Sequence, residues 1–406
     1  MRPVPLSIYI HIPFCTVRCA YCDFNTYAGL ESLMPPYAAA VRRELALVAP
    51  FFSSEGGAPA PDPAEVHTIF FGGGTPSLLP ADLIEGILSV VRSEFRVTEP
   101  CEVTLEANPG TLDGQDLERL RRAGVNRLSL GAQSAQSSEL RLLDRAHNFD
   151  DVASAVQQAR RAGFDNLNLD LIYGLPWQAM ESWTDTLRRT IDLAPEHLSL
   201  YALSLEHGTP LRAWVERGLV AAPDPDVAAE MYEWAEESLA DGGYLQYEIS
   251  NWARDSGSSG HHGLPTFACR HNVQYWRNLP YLGIGAGAHG CALGWRYANV
   301  LSPRLYIDRI QGGRANPAPC SAAAADRTEI DLSVQMDESM LLGFRLTHEG
   351  VRLSAFRDRF GQEIEPRYGR RLRQLESEGL IEHEADRLRL TARGRLLGNR
   401  VFQAFV

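Results

Sequence analysis

Lysine is absent from the sequence, so all 39 basic residues of this 406-residue chain are arginines. A chain without lysine cannot form the Schiff base of pyridoxal phosphate enzymes, use lysine as a general base, or hold a nucleotide phosphate with a P-loop lysine. Long apolar runs are absent as well, since no stretch of about 18 consecutive apolar residues occurs. The sequence therefore predicts no membrane-spanning helix and excludes three common uses of lysine.

Positive charge is scarce relative to negative charge. The formal net charge is −12 at pH 7, which disfavours nucleic acids and anionic membranes as partners because both attract positively charged surfaces. The first residues contain His11 and Pro13 and show no signal-peptide cleavage site. We therefore expect a cytoplasmic protein that binds no nucleic acid.

Cysteine is also scarce, and three of the seven cysteines lie within eight residues with the spacing C-x3-C-x2-C: Cys15, Cys19 and Cys22. Such crowding favours a metal site in a reducing compartment over a disulfide framework. Three thiolates in one loop can hold three irons of a [4Fe–4S] cluster and leave the fourth iron open. Zinc is the alternative, although structural zinc sites usually have four ligands in separated pairs. The other cysteines are scattered: Cys101, Cys269, Cys291 and Cys320.

Short apolar runs alternate with amphipathic segments in the first half of the chain. Strands are predicted at 6–12, 66–71, 101–106, 127–130, 166–172 and 197–204. Helices are predicted at 36–48, 80–92, 112–123, 150–162, 181–192 and 227–240. Six such units predict an α/β fold with a parallel sheet, because each parallel strand needs a crossover. Since eight units close a barrel, we expect a partial (β/α)6 barrel with ligands at the carboxyl ends of its strands.

The sequence predicts three surface loops, at 53–63, 254–264 and 311–325. We expect a barrel domain at 1–240, a connecting segment at 241–325 and a C-terminal module at 326–406. Helices at 336–346, 353–360 and 366–378, followed by a hairpin, predict a winged-helix-like module. Residues 351–400 hold twelve arginines against eight acidic residues. Because the acidic residues interrupt any basic face, a packing module is favoured over a DNA-binding one.

Polar groups recur where successive predicted strands end. The glycine run Gly72–Gly74, before Thr75, would let a ligand approach backbone amides, although a tight turn is the alternative. Each polar group alone could serve a structural role. A ligand lying across the mouth of a barrel needs one polar group at each of several strand ends. In this chain the further members of such a set are Glu106, Gln133, Arg145 and Asp170.

Five segments of the sequence are diagnostic when taken together. They are Tyr-Ile-His-Ile-Pro-Phe-Cys at 9–15, the cysteine triplet, Gly-Gly-Gly-Thr-Pro at 72–76, Glu-Ala-Asn-Pro at 106–109 and Asp-Leu-Ile-Tyr-Gly-Leu-Pro at 170–176. They resemble the radical S-adenosylmethionine enzymes, in particular the branch that contains coproporphyrinogen oxidases and haem chaperones. The resemblance covers nearly the whole chain.

This resemblance implies a [4Fe–4S] cluster whose open iron binds the amino and carboxylate groups of S-adenosylmethionine. In catalytic members the reduced cluster cleaves the sulfonium to a 5′-deoxyadenosyl radical, so an electron donor such as a flavodoxin or ferredoxin is a possible partner. By position, Tyr9 and Tyr21 would lie beside the cofactor and the cluster. The methionine end would meet Gly73, Gly74 and Thr75, and the remaining contacts would come from Glu106, Gln133, Arg145 and Asp170.

Two features separate the oxidases from the haem chaperones. The oxidase pattern resembles C-x3-C-x2-C-x-C after a longer leading segment, whereas this chain has Phe24 at the fourth cysteine position and only fourteen residues before Cys15. The segment His-Asn-Val-Gln-Tyr-Trp at 271–276 resembles the H-N-x-x-Y-W motif of the chaperone group. We expect a haem chaperone that delivers haem to an acceptor protein and lacks coproporphyrinogen oxidase activity. An oxygen-independent coproporphyrinogen III oxidase is the alternative.

His271 is the candidate haem ligand, because imidazole is a common axial ligand and aromatic side chains can pack on a porphyrin. The structural alternative is that His271 forms a local hydrogen bond while Tyr275 and Trp276 pack in the core. The chain departs from the family pattern by carrying extra residues at 252–270. Rival ligands near this insertion are His261, His262, Cys269 and Cys291.

Overall fold

The computed structural model describes residues 5–52, 64–257, 263–313 and 319–406. The predicted loop 53–63 lies outside the described residues, as do His261 and His262 and parts of the two other predicted loops. The chain forms two compact units: one from Met1–Glu196, Leu200–Met231 and Pro280–Glu329, the other from His197–Ser199, Tyr232–Leu279 and Ile330–Val406. The chain thus enters each unit more than once. The predicted domains 1–240, 241–325 and 326–406 are consecutive segments, and their separate folding remains a prediction.

The described residues form strands and helices along the whole chain. The strands are β1 Pro5–Ile12, β2 Phe14–Cys15, β3 Tyr27–Ala28, β4 Glu65–Gly73, β5 Val97–Ala107, β6 Arg127–Gln133, β7 Leu167–Tyr173, β8 His197–Ala202, β9 Tyr244–Glu248, β10 Asn251–Arg254, β11 Tyr281–Ile284, β12 His289–Ala292, β13 Trp295–Asn299, β14 Ala324–Glu329, β15 Val351–Arg352, β16 Ile381–Glu384 and β17 Arg387–Leu390. The helices are α1 Met34–Val48, α2 Ala81–Glu94, α3 Gly114–Ala123, α4 Ser137–Leu142, α5 Phe149–Arg161, α6 Met180–Asp192, α7 Pro210–Glu216, α8 Pro225–Asp241, α9 Arg270–Trp276, α10 Pro303–Gln311, α11 Leu332–Gly343, α12 Leu353–Phe360, α13 Glu365–Ser377, α14 Ala392–Leu396 and α15 Gly398–Phe402. No helix of the described residues is long and apolar enough to cross a membrane.

The first unit is built on a sheet whose central strands run in the order β1, β4, β5, β6, β7, with the last residues of β8 beside β7. The pairs from β1 to β7 are parallel, and α2, α3, α5 and α6 provide crossovers between successive strands. The carboxyl ends of these strands therefore meet at one edge of the sheet. All six predicted β/α units are present.

On its other side, β1 pairs with β11 in parallel, and β12, β13 and β14 continue the sheet in antiparallel order. The sequence pattern does not predict these four strands. Their close approach depends on glycine: a Cβ atom at Gly283 would lie 1.9 Å from the carbonyl oxygen of His289. Strands β11 to β14 are therefore part of the main sheet of the first unit.

Local capping signals explain where the helices begin. At α5 the Asn148 side chain accepts hydrogen bonds from the amides of Asp150 and Asp151, while Asp151 accepts from the Asn148 amide. Asp113 caps α3, which ends at Gly124 in the left-handed conformation (φ +103°). Each cap satisfies backbone groups that a helix end leaves unpaired.

A buried carboxylate fastens α1 to the extended part of the sheet in the first unit. Glu44 is 1% exposed and accepts hydrogen bonds from the Tyr306 hydroxyl at 2.7 Å and the Gly285 amide at 2.8 Å. The Ser321 hydroxyl at 2.5 Å and the Asn299 amide group at 3.0 Å also donate to it. Burial raises the pKa of Glu44, and the four donors oppose that rise.

The second unit has its own core. Strand β10 pairs antiparallel with the first residues of β8 and with β9, and β15, β17 and β16 form a separate three-stranded sheet. The predicted helices of the C-terminal module are present as α11, α12 and α13. The hairpin β16–β17 turns at Ala385. Buried side chains including Phe344, Tyr368 and Leu388 join these elements into one hydrophobic cluster.

Candidate functional site

The cysteine triplet lies in the loop that follows β1 in the first unit. The loop is closed at its base by the parallel pairing of β2 with β3, which joins Phe14 to Tyr27 and Cys15 to Ala28. Inside the loop, the Cys22 amide donates to the Cys19 carbonyl at 3.2 Å. None of the seven cysteines, which all lie in the described part of the chain, forms a disulfide. The three predicted ligands line one cavity of about 350 Å³.

Two of these thiols are contacted by neighbouring side chains. The Thr75 hydroxyl donates to Cys15 Sγ at 3.6 Å, and Arg145 Nη1 donates to Cys19 Sγ at 3.5 Å. Burial raises the pKa of the Cys15 and Cys22 thiols. Coordination to a metal deprotonates a thiol outright, and donors aimed at the sulfurs stabilise the thiolates that form.

The donor set fits an iron–sulfur cluster. Among the residues that the structure describes, no three His, Cys, Asp or Glu side chains come together as ligands of a single metal ion. A cubane cluster does not require such convergence, because each cysteine binds a different iron. Three free thiols on one loop, facing a common cavity, are the ligands that such a cluster needs.

The predicted strand-end residues share this cavity. Besides the three cysteines its lining contains Tyr21, Gly73, Gly74, Thr75, Glu106, Gln133, Arg145 and Asp170. Tyr9 is not among the lining residues: its hydroxyl lies 3.0 Å from Nδ1 of His11. The fold therefore brings all but one of the cofactor residues predicted for the first unit to the cavity surface, and Tyr9 is the exception.

Glu106 carries a partly buried carboxyl group at the end of β5. The Gly73 amide donates to Glu106 Oε2 at 3.0 Å. Burial, with a smaller contribution from Asp170, raises the pKa of Glu106 to about 8. Gly73 has a left-handed backbone (φ +112°), and a Cβ atom there would lie 2.4 Å from the His11 ring, so only glycine fits. A cationic ligand in the cavity would draw this carboxyl into its ionised form.

Asp170 is held in place by its neighbours on the strands. Ser129 Oγ donates to Asp170 Oδ2 at 2.9 Å, and Asn168 Nδ2 donates to Oδ1 at 2.8 Å. Gln133, at the end of β6, has φ +65°, an uncommon conformation for a residue other than glycine. The pairing of β6 with β7 shifts register between Gly131 and Gln133. Strain of this kind is typical of functional sites.

Asn108 was not among the predicted site residues, although it lies in the quoted segment Glu-Ala-Asn-Pro and lines the cavity. Its Nδ2 donates to Thr75 Oγ1 at 3.1 Å, and its Oδ1 accepts from Arg145 Nη2 at 2.7 Å. Because arginine can only donate, Oδ1 must face Arg145 and the amide orientation is fixed. The position of Asn108 after β5 was the signal that could have identified it.

Hydrogen bonds therefore run without interruption from Cys15 through Thr75, Asn108 and Arg145 to Cys19. Arg145 Nη2 also donates to the Gly131 carbonyl at 2.6 Å. A Cβ atom at Gly131 would lie 2.7 Å from that nitrogen, so glycine is required for this contact. The cysteine loop and three strand ends are tied together through these bonds.

The predicted haem segment belongs to the second unit and forms helix α9. His271 is 1% exposed, and its Nε2 lies 3.0 Å from the Tyr275 hydroxyl one turn later. The partly exposed Trp276 packs under the Arg345 guanidinium, whose carbon lies 4.1 Å from the ring centroid. The rival Cys269 is buried in this unit, whereas Cys291 lies on β12 of the first unit. The local hydrogen bond expected from the structural alternative is present, and haem ligation by His271 remains a prediction.

Comparison with known proteins defines the class. Residues 9–190 match the model of the radical SAM superfamily, and residues 330–397 match the HemN C-terminal domain. The solved structure of coproporphyrinogen III oxidase (HemN) from Escherichia coli, described as a radical SAM enzyme, matches with a TM-score of 0.82 and 24% identity over 99% of this chain and 90% of that chain. This likeness confirms the fold that the sequence predicted.

Similarity to curated proteins is more specific. Heme chaperone HemW of Mycobacterium tuberculosis (strain H37Rv) is 36% identical over 99% of this chain and 95% of its own length. Heme chaperone HemW of Bacillus subtilis is 35% identical over 98% and 99%. The chain belongs to the radical S-adenosylmethionine superfamily and, within it, to the family of heme chaperone HemW. Membership implies a [4Fe–4S] cluster and S-adenosylmethionine as cofactors, as predicted, and removes the zinc alternative.

Proposed function

We propose that this protein is a haem chaperone: it binds haem, holds a [4Fe–4S] cluster with S-adenosylmethionine in the first unit, and delivers haem to an acceptor protein. The observation that carries the proposal is the similarity, over nearly the full length, to curated proteins named heme chaperone HemW. Phe24 supports it. This side chain is 62% exposed and lines the cysteine cavity, at the position where the oxidase pattern has a cysteine.

The residues of the cavity have separate tasks in this proposal. Cys15, Cys19 and Cys22 would hold the cluster, which would supply an open iron for the methionine end of S-adenosylmethionine and, when reduced, the electron that cleaves its sulfonium. The cavity amides and carboxylates bind the polar ends of the cofactor: Gly73, Gly74 and Thr75 at the methionine end, and Glu106, Gln133 and Asp170 at its ammonium and hydroxyl groups. Tyr21 covers one side, and Arg145 pairs with the carboxylate.

The proposal also covers the cellular compartment, the electron donor and the segment that contacts haem. We place it in the cytoplasm, because three free thiols and a cluster require a reducing compartment. A flavodoxin or ferredoxin would supply the electron if S-adenosylmethionine is cleaved. Haem contact is assigned to the segment 271–276, whose aromatic side chains Tyr275 and Trp276 are partly exposed.

The test separates the chaperone from the oxidase. Protein purified and reconstituted anaerobically with iron and sulfide is titrated with haem, and the same preparation is assayed for decarboxylation of coproporphyrinogen. We expect saturable haem binding without decarboxylation, followed by haem loss when an apo-haemoprotein is added. Robust decarboxylation would establish the oxidase instead, and absence of saturable haem binding would refute the chaperone.

A further inference from the structure

The second unit contains a cavity of its own, of about 260 Å³. It is lined by residues from helix α8, strands β9 and β10 and the C-terminal module, and none of them lines the cysteine cavity. Its charged and hydrogen-bonding side chains include Glu236, Trp252, His348, Glu382, Arg389 and Arg395. Nothing in the proposed chaperone function uses this cavity.

Three buried donors around this cavity have no acceptor in the described part of the chain. Trp252 is 1% exposed, and its indole Nε1–H has no hydrogen-bond partner among the described residues. The buried Nε–H groups of Arg389 and Arg395 also have none within the same part of the chain. These atoms can donate but not accept. A single group with acceptor oxygens could therefore satisfy donors that the protein leaves unpaired.

Ion pairs through other donor atoms hold the side chains of Arg389 and Arg395 in place. Arg389 Nη2 pairs with Glu382 at 3.1 Å and also contacts Glu384, while Arg395 Nη2 contacts Glu236. These ion pairs orient both guanidinium groups before any ligand binds, which lowers the entropic cost of binding. They involve Nη2 and leave the Nε–H groups unpaired.

The electrostatic surroundings favour a negative ligand. The side chain of His348 is exposed at the cavity, and partial desolvation together with the positive charges of Arg389, Arg395 and the nearby Arg387 lowers its pKa. At His348 the field of these three arginines thus disfavours a positive charge. An anion entering this cavity would be attracted by the same field.

We propose that this cavity binds an oxyanion group, a carboxylate or a phosphate, through the indole N–H of Trp252 and the Nε–H groups of Arg389 and Arg395. The proposal goes beyond the haem chaperone function and does not depend on it. Charge-assisted hydrogen bonds from arginine are the strongest contacts that a protein offers to such groups.

The test uses the full-length protein and two probes, inorganic phosphate and acetate, each titrated at constant ionic strength with sodium chloride. We expect saturable binding by calorimetry, with a matching rise in Tm, for at least one probe, and the preferred probe identifies the oxyanion. Trp252→Phe keeps the ring and removes the N–H, and Arg395→Lys keeps the charge and removes Nε. Each should weaken binding about tenfold, the effect of losing one good hydrogen bond.

Arg393→Gln is the matched control, because Arg393 is an exposed arginine on the same helix as Arg395 and does not line the cavity. It should bind like the parent. The proposal is overturned if neither probe binds saturably, or if Trp252→Phe and Arg395→Lys bind as tightly as the parent. Circular dichroism identifies any variant that fails to fold. If Arg395→Lys fails to fold, the affinity of Trp252→Phe alone tests the proposal, because this variant retains the aromatic packing against Tyr232.

Discussion

Arg145 and Asn108 are joined by a hydrogen bond of 2.7 Å between the guanidinium Nη2 and the amide Oδ1. The same amide donates to Thr75 at 3.1 Å. Arg145 and Thr75 each contact one of the cluster cysteines. Asn108 therefore determines the positions of two donors that point at sulfur, without touching a sulfur itself.

Asn108 variants should alter the cluster without removing it. Asn108→Ala deletes both hydrogen bonds, whereas Asn108→Asp keeps an acceptor for Arg145 and loses the donor to Thr75. Hydrogen bonds to the sulfurs raise the reduction potential of a cluster. We expect normal iron content in both variants, a lower potential in redox titrations followed by electron paramagnetic resonance, and about tenfold weaker S-adenosylmethionine binding for Asn108→Ala. Parent-like potential and affinity would show that Asn108 only fills space.

Replacing any one cysteine of the triplet with Ala should abolish the visible absorption of the reconstituted cluster and most of the bound iron. Each thiolate holds a different iron, so the remaining two cannot retain a cubane. Cys101→Ala is the control, since Cys101 is a partly buried cysteine on β5 outside the cavity lining. A full iron complement in a Cys19→Ala variant would remove Cys19 from the ligand set.

The affinity for S-adenosylmethionine should rise with pH toward a plateau above pH 8. Burial raises the pKa of Glu106 to about 8, so below that pH the carboxyl group is mostly protonated and attracts the cationic cofactor less. Glu106→Gln keeps the shape and cannot ionise. In calorimetric titrations from pH 6.5 to 9 it should bind more weakly and lose this pH dependence. An identical pH profile in the variant would assign the dependence to another group.

Haem binding should depend on His271. His271→Ala should shift the Soret band and weaken haem binding, while His261→Ala and His262→Ala should do neither. Because His271 is buried against Tyr275, Tyr275→Phe tests the local hydrogen bond separately. If the histidine has only a structural role, His271→Ala will lower Tm and leave the haem spectrum unchanged.

Glu44→Gln should lower the free energy of unfolding by about 1–3 kcal/mol, the cost of leaving buried donors unsatisfied. All four partners of Glu44 donate, two to each carboxylate oxygen, so the new Nε2 group would face two donors with a donor of its own. Urea denaturation measures the loss. Glu94→Gln, on the exposed end of α2, should leave the free energy unchanged.

Features carried by local pattern were predictable from the sequence. The alternation of strand and helix predicted β1, β4, β5, β6, β7 and β8 in the right order, and the cysteine spacing predicted a loop whose three thiols line one cavity. The rule that parallel strands end at one edge placed Glu106 and Asp170 at one cavity. These inferences needed only contacts between neighbouring segments or a regular topology.

Features that depend on distant segments were not predictable. Strand β11 pairs Tyr281 with Ser7, and no local signal connects two such remote residues. The sequence at 281–299 also shows no amphipathic helical segment between its strands, whereas such segments marked the strands of the first half of the chain. The role of Asn108 depends on the position of Arg145, which the backbone sets only after folding. The cavity with Trp252 similarly combines segments from two parts of the chain.

The short pairing of β2 with β3 has a consequence for how the cluster is acquired. By joining Cys15 to Ala28, it closes a loop of about a dozen residues, whose closure from a free chain would cost roughly 2 kcal/mol in entropy. The protein meets that cost while it folds. Incoming iron and sulfide would therefore meet a loop whose two ends are already fixed. Cluster assembly would not have to supply the entropic cost of closing that loop.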